Sequence, residues 1–71
     1  MNILMSFIRN GRPMSAAFYE GEDVLEFAAT MTAEELKSAT YYNVLYGHEL
    51  KDETDWWADI IEFELEKMRG A

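Results

Sequence analysis

The rhythm of apolar and polar positions changes along this chain, and each change predicts an element. Large apolar side chains dominate from Ile3 to Ile8, Asn10-Gly11 interrupts them, and a second apolar run extends from Met14 to Tyr19. Asn-Gly accepts the positive φ values of a tight hairpin turn, so the pattern predicts a β-hairpin. Pro13 suits a strand start or an edge, where its missing N–H does no harm. Glu20-Gly21-Glu22-Asp23 marks the next turn. VLEFAA, Val24 to Ala29, fits a third strand with Leu25, Phe27 and Ala29 on one face. It also fits a short helix on which Val24, Phe27, Ala28 and Met31 share a side. We read a strand, which makes residues 1–31 the β-rich part.

Thr32-Ala33-Glu34-Glu35 has the form of a capping box, in which the threonine hydroxyl accepts from the N3 amide and Glu35 reaches back to the cap N–H. It opens a helix over 32–47 that Gly47 closes at C′. TYYNVLY from Thr40 is its weak part, because β-branched and aromatic residues suit a strand equally well. A second, acidic amphipathic helix covers 52–69, with Thr54 or Asp52 as N-cap, Asp55 in its first turn, and Lys67 and Arg69 in its last. The expected architecture is a single α+β domain over residues 1–71. A small three-stranded antiparallel sheet, the N-terminal hairpin plus a third strand, packs against two C-terminal helices.

The stretch KDETDWWADIIEFELE, Lys51 to Glu66, resolves into faces when wound at 100° per residue. Trp57, Ile61, Leu65 and Met68 form one apolar ridge, and Trp56, Ile60 and Phe63 form a neighbouring one. Together they span more than half the circumference, more than one sheet face covers, so part of the arc is available to another chain. Asp55, Asp59, Glu62 and Glu66, at spacings of four, three and four, make a continuous stripe with no lysine or arginine among them. A helix interspersed with lysines gains i,i+4 pairs of about 0.2 to 0.5 kcal/mol each, and this helix forgoes them. Glu64 and Lys67 project within the apolar arc three residues apart and are expected to pair.

Composition narrows the class of function. With 71 residues, 49% of them apolar, the chain makes one small domain. It contains no cysteine, so disulfides and thiolate metal sites are excluded. The start MNILMSFIRNGRP reads as neither a signal peptide nor a membrane span, and a soluble, cytoplasmic protein is the expectation. Net charge is -8 and unevenly spread: residues 1–19 carry Arg9 and Arg12 and no acid, whereas all fourteen acids follow, against Lys37, Lys51, Lys67 and Arg69. Direct binding to nucleic acid needs clustered cations, so the expected partners are basic proteins, with no nucleic acid and no membrane.

Catalysis finds little to work with. An outward stripe on one helix cannot enclose a substrate between carboxyl groups of different pKa. The remaining stock is His48, Ser6, Ser15 and Ser38, with no nucleophile elbow and no phosphate-cradling glycine loop. His48-Glu49 begins like a zinc motif, but Asp52 stands where a second histidine would be needed. We therefore expect neither an enzyme, a cofactor nor a metal. His48, beside Gly47, reads as a capping or surface residue.

A stripe of four charges over about 16 Å, one per roughly 5.5 Å, is more dilute than a DNA strand at about 3.4 Å per charge. Imitating a phosphate backbone would take a second row. Glu49, Asp52 and Glu53, and Glu20, Glu22, Asp23, Glu26, Glu34 and Glu35, are its candidates. In character, EGEDVLEF, TAEEL and DETDWWADIIEFELE resemble small acidic phage-encoded inhibitors of the anti-CRISPR and DNA-mimic type. The resemblance is one of composition over residues 20–66 and transfers no functional residue. It implies stoichiometric blocking of a nucleic-acid-binding protein rather than catalysis. The expected function is thus a non-enzymatic inhibitor or adaptor docking Asp55, Asp59, Glu62, Glu66, Trp56 and Trp57 on a basic surface. The alternative is a structural or regulatory homodimer that packs the apolar arc of its second helix on a symmetry mate.

Overall fold

A computed structural model describes residues 2–70 of the chain. The N-terminal hairpin forms as its sequence requires. Strand β1 (Asn2–Arg9) and strand β2 (Arg12–Phe18) run in unbroken register from Ile3 opposite Phe18 to Arg9 opposite Arg12. Asn10 and Gly11 take φ values of 53° and 74°, the left-handed pair that matches hairpin twist.

The chain then departs from the expected architecture. Gly21–Ala28 is a helix, α1, and not a third strand. Glu22 and Asp23 occupy its first turn, where carboxylates complement the helix dipole, and Val24 and Ala28, four residues apart, are both buried. The helical period prevails because it also sends Phe27 between Phe7 and Phe18, with ring centroids 5.7 and 5.5 Å away. A strand would have buried Leu25 and Ala29 with Phe27, in place of Val24 and Ala28.

The helix expected over 32–47 is only α2 (Ala33–Ser38), and Thr40–Val44 is strand β3. The capping box forms in full: Glu35 N–H donates to Thr32 Oγ1 at 3.2 Å, and Thr32 N–H donates to Glu35 Oε1 at 2.8 Å. At the other end, Ser38 Oγ donates to the Glu35 carbonyl and accepts from Ile8 N–H of β1, turning the chain onto the free side of that strand. There the β-branched and aromatic residues outweigh continued helix, and Tyr41 pairs opposite Met5. Gly47 accordingly lies in the turn between β3 and the short strand β4 (Leu50–Asp52), and not at a helix end. Gly47 and exposed His48 both adopt positive φ there.

The described residues therefore form a four-stranded antiparallel sheet in the order β2-β1-β3-β4 with three helices, correcting the expected three strands and two helices. The last helix, α3 (Thr54–Gly70), follows β4 after a single residue. Thr54 ties its start to the sheet: its Oγ1 accepts from Tyr41 N–H at 3.1 Å, while its own N–H donates to Asp52 Oδ1 at 2.9 Å.

All three helices cover one face of the sheet. Ile3, Met5 and Phe7 of β1 alternate toward that face and join Tyr41, Val24, Ala28, Met31, Ala39, Trp57, Ile61 and Leu65 in one buried cluster. Burying each large member contributes about 1.5–3 kcal/mol. The opposite face, with Leu4, Ile8, Ala17, Tyr42, Val44 and Leu50, has no helix over it.

Candidate partner-facing surface

The surface of α3 is set by which of its ridges the sheet takes. Trp57, Ile61 and Leu65 are buried, Ile60 is half-buried, and Trp56, Phe63 and Met68 remain 54%, 61% and 65% exposed. The two tryptophans, adjacent in sequence, thus have opposite fates. Trp57 is 6% exposed and donates from Nε1 to Asn43 Oδ1 at 3.3 Å, so it is a core residue with no face to offer a partner. Trp56 packs edge-on against it and keeps its outer side in solvent.

Asp55, Asp59, Glu62 and Glu66 are all exposed, and none belongs to an ion pair among the described residues. The folded chain nevertheless brings cations near one end of the stripe. Glu62 and Glu66 border a cleft between α2 and α3 that Lys37 and Arg69 also line, with Tyr41 and Ile61 among its apolar walls. At the other end, Asp55 and Trp56 border a shallow polar recess with Thr40, Thr54, Asp52 and Glu53. The stripe is therefore most strongly acidic near the start of α3. Asp52, Glu53 and Asp55 line that recess beside an exposed indole. The sequence itself puts Asp52 and Glu53 within three residues of Asp55, and β4 delivers them to the start of α3.

Local bonding keeps part of this acid ionised. Hydrogen bonds from Thr54 hold the Asp52 carboxyl below the usual aspartate range. Lys51 lies 3.1 Å from Glu53 and partly offsets it. Glu64 and Lys67 approach to 3.7 Å as their spacing predicts, and the Lys67 ammonium stands 5.2 Å from the centre of the Phe63 ring.

The second row of acid divides. Glu22, Asp23 and Glu26 of α1 and Glu34 of α2 are exposed, whereas Glu35 is withdrawn from the surface. Its Oε2 accepts from Arg9 Nε at 2.5 Å, its Oε1 serves the capping box, and the Arg9 hydrogen bond foremost lowers its pKa. Sequence spacing had shown only the cap. The antiparallel return that carries Arg9 to α2 is a tertiary effect with no local signal.

Among the described residues, no three His, Asp or Glu side chains converge on a common point for a metal ion, and no helix is long and apolar enough to cross a membrane. Comparison with protein families, with curated proteins and with solved structures finds no match to this chain.

Proposed function

We propose that this protein is a non-enzymatic acidic binding protein of the phage-inhibitor or anti-CRISPR kind, which occupies the basic, nucleic-acid-binding surface of another protein. The observation that carries this reading is the start of α3, where Asp52, Glu53 and Asp55 border one recess with Trp56, an indole 54% exposed. Asp59, Glu62 and Glu66 extend the acid along the helix. Carboxylates steer a cationic surface into contact and set its register, while a desolvated aromatic anchor supplies much of the affinity. Phe63, on the same exposed side of α3 as Trp56, is the second anchor. Trp57 belongs to the scaffold that presents them.

The contact is expected to be stoichiometric and salt-sensitive, since exposed charge pairs are screened over about 8–10 Å at ordinary ionic strength. Capture from a lysate of the source cell on the immobilised chain, with elution by a salt gradient, tests this. A basic nucleic-acid-binding protein should be retained, and retention should be lost when Asp55, Asp59, Glu62 and Glu66 become Asn and Gln. Equal retention by the neutralised chain would overturn the proposal.

A further inference from the structure

The two edges of the sheet are finished in opposite ways. Strand β4 is three residues long and carries Lys51 and Asp52, a short charged edge of the kind that resists pairing. Strand β2 is seven residues long, has no bulge in its register with β1, and bears no charge after Arg12. Long, regular, uncharged edges invite another strand.

The hairpin register identifies which groups that edge presents. A two-residue turn makes Arg9 and Arg12 a hydrogen-bonded pair, so pairs alternate along the ladder and Ile8–Pro13, Ser6–Ser15 and Leu4–Ala17 are not hydrogen-bonded to each other. The N–H of Ile8 accordingly points the other way and donates to Ser38 Oγ at 2.9 Å. Ser15 and Ala17 direct their N–H and C=O groups outward from the sheet. Pro13, in the same alternation, lacks the outward donor and limits the pairing at its end.

We propose that β2 is a homodimerisation edge, on which the β2 strand of a second copy pairs antiparallel about a two-fold axis at Ala16 to make one continuous sheet. In this register Ser15 exchanges both backbone hydrogen bonds with Ala17 of the second copy, and the reciprocal pair forms across the axis. Met14 then stands opposite the second copy's Phe18 on the helix-covered face, on either side of two facing alanines. Met14 is 43% exposed in the isolated chain and Phe18 is half-buried, so the pairing covers apolar surface that α1 leaves open. Shifting the axis to Ser15 would put Pro13 inside the ladder opposite Ala17 and lose a donor from each copy.

Local charge at this edge permits a second copy despite the repulsion between two acidic chains. Each chain carries -8, but β2 itself bears no carboxylate, so its pairing brings none into the ladder. A basic partner finds no acid on this strand, and a nucleic acid finds only Arg12. The dimer is independent of the acidic surface on α3, and either proposal stands without the other.

Sedimentation velocity across a micromolar concentration series tests the edge. The unaltered chain should shift from monomer to dimer. Ala17→Pro removes an outward N–H that the hairpin itself does not use, and should weaken dimerisation by about tenfold or more. The pair Ser15→Asp and Ala17→Asp, at exposed positions, should abolish it while circular dichroism shows an unchanged fold. Because the chain has no cysteine, Ala16→Cys supplies a single thiol at the axis, where Cα atoms of a non-hydrogen-bonded pair lie about 4.5 Å apart, within disulfide range. Under mild oxidation it should cross-link far faster than an Ala58→Cys control on α3. A chain that stays monomeric throughout, a dimer that survives the double aspartate variant, or an Ala16→Cys chain that cross-links no faster than the control would each overturn the proposal.

Discussion

Trp56 and Trp57 stand edge to face, with ring centroids 4.9 Å apart and planes at 88°, and the contact between them marks the boundary of the core. Trp57 lies inside, between Tyr41 and the start of α1, while Trp56 rests on it with half its surface in water. Substitution should separate the two roles. Trp57→Ala is expected to cost about 3–5 kcal/mol, enough to unfold much of a domain this small. Trp56→Ala should leave the urea midpoint nearly unchanged and act on partner binding instead. Equal midpoint losses for both would remove the distinction.

Gly21 opens α1 because the Trp57 ring is already there. A Cβ at this position would sit 3.3 Å from Trp57 Cη2, tighter than ordinary van der Waals contact. Gly21→Ala should therefore destabilise by about 1 kcal/mol, the low end of overpacking, despite the better helix propensity of alanine. In a Trp57→Phe background, with the benzo ring gone, the same substitution should be neutral or stabilising. A double-mutant cycle by urea denaturation measures the coupling directly.

Glu35 links the hairpin to α2, and pH should expose the link. Its folded pKa is lowered, first by the Arg9 hydrogen bond and then by the Thr32 N–H, so the folded state favours the carboxylate. The contribution is fully present above the ordinary glutamate value of 4.5 and is lost as pH falls through the lowered folded value. Compared with Glu35→Gln, the unaltered chain should be more stable at neutral pH, with the difference shrinking below about pH 4.5. Using the difference removes most of the general relief of self-repulsion that a chain of net charge -8 gains on acidification. A gap that stays constant from neutral pH to pH 3 would contradict the role given to the ionised pair.

Local signals that agree with one another are legible in the sequence alone. Asn10-Gly11 specified the hairpin, Thr32 with Glu35 specified the start of α2, and the period from Trp57 to Leu65 specified the buried ridge of α3. Segments with two compatible periods were not. VLEFAA became helix because Val24 and Ala28 enter the core while Phe27 packs on Phe7 and Phe18, and Thr40–Val44 became strand because β1 had an unpaired side to offer Tyr41. Both outcomes depend on neighbours distant in sequence, which no local pattern contains. The acidic surface divides in the same way. Helical spacing places Asp55, Asp59, Glu62 and Glu66 on one exposed face, with Asp52 and Glu53 adjoining Asp55 in sequence and Arg69 on the same helix, whereas the approach of Lys37 to the cleft that Glu62 and Glu66 line requires the tertiary fold.

The acid at the start of α3 should act mainly on encounter. Its most direct test is the association rate between this chain and its captured basic partner, measured over a range of salt concentrations for the unaltered protein and for Asp55→Asn with Asp59→Asn. The expected result is association slowed by about tenfold at low salt, with a flatter dependence on ionic strength and little change in dissociation. Identical association rates and salt slopes for the two proteins would contradict a partner-steering role for this face.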